Sequence, residues 1–180
     1  MAVKELDIKL LRDKTSGGAA VVGEVSGWNR MFVYLPVLAI GVFYLLTIRQ
    51  GHDWGDDFSL YIQHAKNIAE GVSFTHTNYL HFSPYVGPNA YPPIFPLFLA
   101  PIYKLFGLNL AAMKVGVILT FLITLLLFIQ IIKNDLSQGL QVALIMVIGL
   151  NPYFWDLKDQ IMSDIPFLVP AYLSIYLVYR

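Results

Sequence analysis

Cysteine is missing altogether from the 180 residues. Its absence excludes disulfides, thiolate metal centres and cysteine nucleophiles. Charge is nearly as scarce: 13% of the residues are charged, where a soluble domain carries about 25%. A surface this poor in charge does not face water over its whole area. The twelve basic and twelve acidic residues cancel, with no basic arm or stripe, so nucleic acid finds no electrostatic footprint. Also missing are a Gly-rich phosphate loop, a Ser-His-Asp order and a dinucleotide fingerprint. The four histidines (His52, His64, His76 and His81) share one stretch but offer no i,i+4 pair for a helical metal site. No internal repeat is visible.

What the chain has instead is apolar length, with 57% hydrophobic residues and a mean hydropathy of +0.60. Met31 to Ile48 is uncharged between Arg30 and Arg49, which suffices, with its flanks, for the roughly 20 residues a membrane span needs. Pro36 falls in its first turns, where a missing N–H costs least. Leu108 to Ile132 is a second span, with Lys114 near one end expected to snorkel its amine to the interface. Leu140 to Leu150 runs on uncharged to Trp155, with a break expected at Asn151-Pro152. Ile165 to Tyr179 begins a fourth. The fold class expected is an all-α membrane protein with about four transmembrane helices.

Residues 1–29 do not read as a cleaved leader. Their charged stretch, Lys4 to Lys14, carries both signs, and a linker from Gly17 to Gly27 precedes the first apolar run. They are expected to be a cytoplasmic tail. That orientation puts seven basic residues on the cytoplasmic side and five on the other, a positive-inside bias. Seven of the twelve acids, among them Asp56, Asp57 and Asp164, then fall on the outer side.

The outer loop from Arg49 to Gly107 is too long for a plain connection. Asp57 to Glu70 reads as an amphipathic helix, with Phe58, Tyr61, Ile62, Ala65, Ile68 and Ala69 on one face. Ser59, Gln63, Lys66, Asn67 and Glu70 fall on the other. Asp56 is placed as its N-cap and Gly71 as its C′ residue. Ser73 to Ala90 is irregular. Tyr91 to Gly107 is apolar but interrupted by Pro92, Pro93, Pro96 and Pro101, too short to span. Both ordered pieces are expected to lie in the membrane interface.

The leading chemical candidate is the pair Asp56-Asp57. A helix N-terminus favours ionised carboxylates, and acids at membrane level default to function, although capping alone also explains them. Asp164, in Ser163-Asp164-Ile165-Pro166, returns to the same side of the membrane, with an N-cap as its plain alternative. Lys66, Arg49 and Lys158 could hold an anionic group, against solvated or lipid-facing roles.

In order, "GDDFSLYIQHAKNIAEGVSF", "YPPIFPLFLAPIYKLFG" and "MSDIPFLVPAYLSIYLVYR" resemble the membrane-embedded GT-C glycosyltransferases, of the dolichyl-phosphate-mannose protein mannosyltransferase and aminoarabinose-transferase group. The resemblance covers residues 30–180, the N-terminal part of such a domain, and implies an inverting glycosyltransferase. It implies a polyprenyl-phosphate sugar as donor and a lipid, glycan or protein hydroxyl as acceptor. Asp56 or Asp57 would be the general base; Tyr61, Tyr91, Lys66 and Asp164 would bind substrate, and no metal or cofactor is called for. Family members continue through more spans, so the chain is expected to be a fragment or truncated form. The location implied is the plasma membrane of a prokaryote, or the endoplasmic reticulum of a eukaryote, with the active face outside the cytoplasm. The competing reading is a non-catalytic membrane protein, either a transporter subunit or a pseudo-enzyme partner of a complete transferase.

Overall fold

The structure, a computed structural model, describes residues 31–52, 56–76 and 91–179; the side chains of Asp56 and Asp57 fall outside the description. The expected tail, residues 1–29, lies outside the described residues, as do His81, Asp53 and most of the irregular segment before Tyr91. All regular structure among the described residues is α-helical, as the apolar periodicity implied. The helices are α1 (Leu35–Leu46), α2 (Asp56–Glu70), α3 (Ile94–Phe106), α4 (Leu110–Ile132), α5 (Gln138–Gly149), α6 (Pro152–Leu157) and α7 (Asp164–Tyr179).

α4 is the axis of the fold. Its 23 residues rise about 34 Å at 1.5 Å each, enough to cross a hydrocarbon core of about 30 Å. It is the one described helix that is long and apolar enough to do so alone. Asn109 starts it by accepting a bond from the Ala112 N–H at 3.0 Å, which satisfies one of the otherwise orphaned first-turn donors. α1, α3, α5 and α7 all pack against it. Met113, Val117, Ile118, Phe121, Leu125 and Ile129 of α4 are buried in the resulting core.

Helix contacts are close because small residues line them. An added Cβ at Gly41 would come within 2.9 Å of Leu122, and one at Gly116 within 2.7 Å of Ile102. At Gly149 it would run into the Ile40 side chain, itself almost fully buried. Asn151-Pro152 breaks the apolar run as expected. α5 stops at Gly149, Asn151 caps α6 by accepting from the Tyr153 N–H, and Pro152 takes the first helical position.

Long-range contacts sort the helix ends into two groups. Tyr34 meets Gln130, and Tyr179 meets Asp135. At the far end Arg49, Lys114 and Asp159 come together. So α1 and the α5–α6 pair run one way, while α4 and α7 run the other. The outward faces of these helices are apolar: Leu38 and Val42 on α1, Leu119 and Ile123 on α4, Val147 on α5, and Phe167 and Val178 on α7 are all exposed. An exposed apolar surface this extensive marks contact with something other than water.

α2 and α3 form a layer of their own beside the Lys114 end of α4, and pack on one another. α2 begins at Asp56, so Asp56 is its first residue and not a cap. Its C-terminus is as anticipated: Gly71 has φ 70°, and the Val72 N–H reaches Asn67 O while the Gly71 N–H reaches Ile68 O. Those two bonds form a Schellman motif, which glycine closes without a Cβ penalty. The face assignment needs correcting at Asn67, which is buried and donates to Phe74 O at 3.1 Å and His76 O at 2.6 Å. Those bonds fold the chain after Gly71 back onto the helix, so Asn67 faces protein where periodicity alone put it in water.

Candidate functional site

Two constellations occupy the Lys114 end of the bundle. The first is a knot of charge around Asp159, which is buried. Its Oδ1 accepts the Arg49 backbone N–H at 2.9 Å and its Oδ2 the Arg49 Nε–H at 2.9 Å. The Lys158 ammonium bonds Oδ2 at 2.5 Å and Thr47 O at 2.7 Å. Lys114 reaches Arg49 O at 2.8 Å and Gly51 O at 2.7 Å, with Oδ1 of Asp159 at 3.7 Å. Asp156 takes the Arg49 Nη2–H at 2.6 Å. Burial pushes the Asp159 carboxyl up, but the Lys158 ammonium and the two Arg49 bonds outweigh it and hold it below the usual carboxylate range. The Asp156 and Asp159 bonds raise Arg49 further above its already high value.

This geometry revises the roles expected of two lysines. Lys114 does not snorkel to the surface; its amine is buried and fixes the backbone turn after α1. Lys158 is fully buried, not solvated. Both depart from the usual pattern because Asp159 and three backbone carbonyls replace the water they would otherwise seek. The hub itself, Asp159, was not singled out from sequence. Its signal was there, in three charged residues within four positions (Asp156, Lys158, Asp159) between two apolar runs.

The second constellation lies where α2 meets the mouth of α7. The Tyr61 hydroxyl is 3.2 Å from Ser163 Oγ, a contact between residues 102 positions apart. Tyr91 stands edge-on to Tyr61 with ring centroids 5.5 Å apart, and Phe95 does so at 5.1 Å. Asp164 follows Ser163 as the first residue of α7 and is exposed. By helix register alone, position 57 lies one turn before Tyr61, about 40° away round the helix axis, whereas position 56 is about 140° away. Of the anticipated substrate residues, Tyr61 thus meets Ser163, Tyr91 packs on Tyr61, and Asp164 is the next residue in the chain after Ser163. Lys66 does not join them: five residues on, it is turned about 140° from Tyr61 and half-buried elsewhere on α2.

No protein-family model, curated protein or solved structure matches the chain. The site therefore rests on its own geometry. The two constellations are adjacent along both strands of chain that link them. Ser163 follows Asp159 by four residues, a reach of at most about 14 Å, and Asp56 follows Arg49 by seven.

Among the described residues, His52, His64 and His76 do not gather; His81 lies outside them. His64 is fully buried against the Phe74 ring, centroids 4.2 Å apart, and neither nitrogen has a hydrogen-bond partner among the described residues. Burial lowers its pKa. His52 stacks edge-on to Phe58, and His76 is exposed. Among the described residues no three His, Asp or Glu side chains cluster as metal ligands would.

Proposed function

We propose that the chain is a membrane glycosyltransferase, or the N-terminal part of one, using a polyprenyl-phosphate sugar at the non-cytoplasmic face. In this reading α1, α4, the α5–α6 pair and α7 are four membrane crossings, and α2 and α3 lie in the interface. The observation that carries it is the Tyr61–Ser163 contact. It joins the helix that opens with the acid pair to the mouth of the fourth apolar helix, two segments that the resemblance treats as parts of one site.

The chemistry suits the position. A lipid phosphate is a good leaving group, so the step that needs help is deprotonation of a weakly nucleophilic hydroxyl. A carboxylate within hydrogen-bond reach can take that proton as the oxygen attacks the anomeric carbon. The new C–O bond forms as the C–O bond to phosphate breaks, and configuration inverts. Asp57 is the assigned base, because its position shares the Tyr61 face. Tyr61, Tyr91 and Asp164 supply ring and polar contacts to the sugars. A site beside the membrane surface fits a donor whose lipid stays in the bilayer.

The opposing reading is a non-catalytic transporter subunit or partner. Transporter sites favour broken, polar helices at the bilayer midplane. Here the hydrogen-bonded charges sit at the two ends of α4, and its middle carries only Thr120 and Thr124 as polar residues, both bonded to their own helix. The test is direct: the purified chain in nanodiscs, offered a panel of polyprenyl-phosphate sugars. Binding and turnover of one of them support the transferase, binding alone supports an N-terminal part, and neither would remove the reading.

A further inference from the structure

Trp155 belongs to two features at once. It lines a groove of about 770 Å³ between α1 and the α5–α6 pair, with Ala39, Ile40, Phe43, Met146 and Leu150. It also carries the charge knot: the Arg49 guanidinium and the Lys158 ammonium each stand 5.3 Å from its ring centroid. Its own N–H donates to Thr47 Oγ1 at 3.2 Å, which fixes the ring at the top of the groove. The groove is apolar along its length and open sideways, since Phe43, Met146 and Leu150 are exposed.

Among the described residues the carboxylates at this end do not match its basic groups in number. Arg49, Lys114 and Lys158 face two carboxylates, Asp156 and Asp159, leaving one positive charge in surplus. Arg49 directs Nε to Asp159 and Nη2 to Asp156, while Nη1 makes no hydrogen bond among the described residues. Its side chain is 48% exposed and its guanidinium stands 5.3 Å from the Trp155 ring centroid. An apolar slot lined at one end by Trp155, on whose ring a half-exposed guanidinium stacks, is complementary to a molecule with one apolar tail and one anionic head.

We propose that this groove binds a phosphate-headed anionic membrane lipid, with an acyl chain along α1 and α5 and the phosphate on Arg49 Nη1. The bound lipid fills the gap between α1 and α5 and ties the charge knot to the membrane surface. The proposal rests on the membrane placement given above, but not on the transfer chemistry. Protein that fails to insert into vesicles would count against that placement, whereas inserted protein without lipid selectivity would count against the lipid site alone.

The full chain carrying Trp28→Phe and Trp54→Phe leaves Trp155 as the lone tryptophan emitter. It is reconstituted in vesicles containing dibrominated phosphatidylglycerol or dibrominated phosphatidylcholine at equal mole fraction. The expected result is about a fivefold preference for phosphatidylglycerol in the quenching of Trp155, the worth of one basic charge at a membrane surface. Arg49→Gln should bring the two lipids level. Ala39→Phe, which fills the groove and leaves the charge knot intact, should abolish the selective quenching. Equal quenching by both lipids in the parent protein overturns the proposal. So does a preference that survives both variants, or cross-linked dimers in which a second copy shields Trp155 from either lipid.

Discussion

Replacing Asp159 by asparagine keeps the shape of the hub and removes its charge. The Lys158 and Lys114 side chains around it are 0% and 3% exposed, and Asp159 itself is 5% exposed. Lys158 would keep Thr47 O and the Trp155 ring; Lys114 would keep two carbonyls. Neither ammonium would keep a counter-ion with comparable burial. Breaking a buried pair from one side costs about 3–5 kcal/mol, and we expect Asp159→Asn to fall in that range. Asp156→Asn removes a partner that is 53% exposed, where screening holds the cost to about 1 kcal/mol or less. The assay is reversible unfolding in mixed detergent followed by circular dichroism. Adding Lys158→Met should recover more than about 1 kcal/mol of the Asp159→Asn loss, the signature of a coupled pair. Acid provides a second readout. The folded carboxyl titrates below its ordinary value, so its contribution is complete above about pH 3.9 and is lost as pH falls through the lower folded pKa. Asp159→Asn should erase that acid-side slope. An Asp159→Asn cost no larger than that of Asp156→Asn would refute the reasoning.

Three further outcomes are expected. His64 is buried and its pKa lowered, so stability should fall as pH drops from about 6.5 towards the depressed folded value, by up to about 1.4 kcal/mol per pH unit; His64→Phe should flatten that part of the curve. Gly149→Ala should cost about 1–3 kcal/mol by overpacking against Ile40, and Ile40→Val in the same chain should return part of it. Because the chain has no cysteine, Tyr61→Cys with Ser163→Cys gives a clean background for a short bifunctional thiol reagent. Rapid cross-linking within one chain is expected, and its absence would separate α2 from α7.

Helix positions were legible because their signals are local. The uncharged run before Arg49, Pro36 near its start, the Asn151-Pro152 break and Gly71 each act within a turn of where they stand. Asp159 was not legible, because its partners come from positions 49, 114 and 158, and only the antiparallel return of α4 brings Lys114 to that end. Lys114 read as snorkelling and Lys158 as solvated or lipid-facing; a buried carboxylate and backbone carbonyls reversed both. Asn67 was misplaced for a related reason. Its face is set by the chain that folds back at Phe74 and His76, which periodicity within α2 cannot register. For the candidate site, the acid pair, Tyr61 and Ser163-Asp164 were visible separately, and the Tyr61–Ser163 contact needed the fold.

The assignment of Asp57 as the base at the Tyr61–Ser163 contact is tested most directly by comparing donor turnover in the intact chain, Asp57→Asn and Asp56→Asn, with donor binding measured alongside. General-base catalysis contributes about 10²–10⁴-fold. The expected result is a loss of that size in Asp57→Asn, with binding retained and Asp56→Asn much less affected. Full turnover in Asp57→Asn would contradict it.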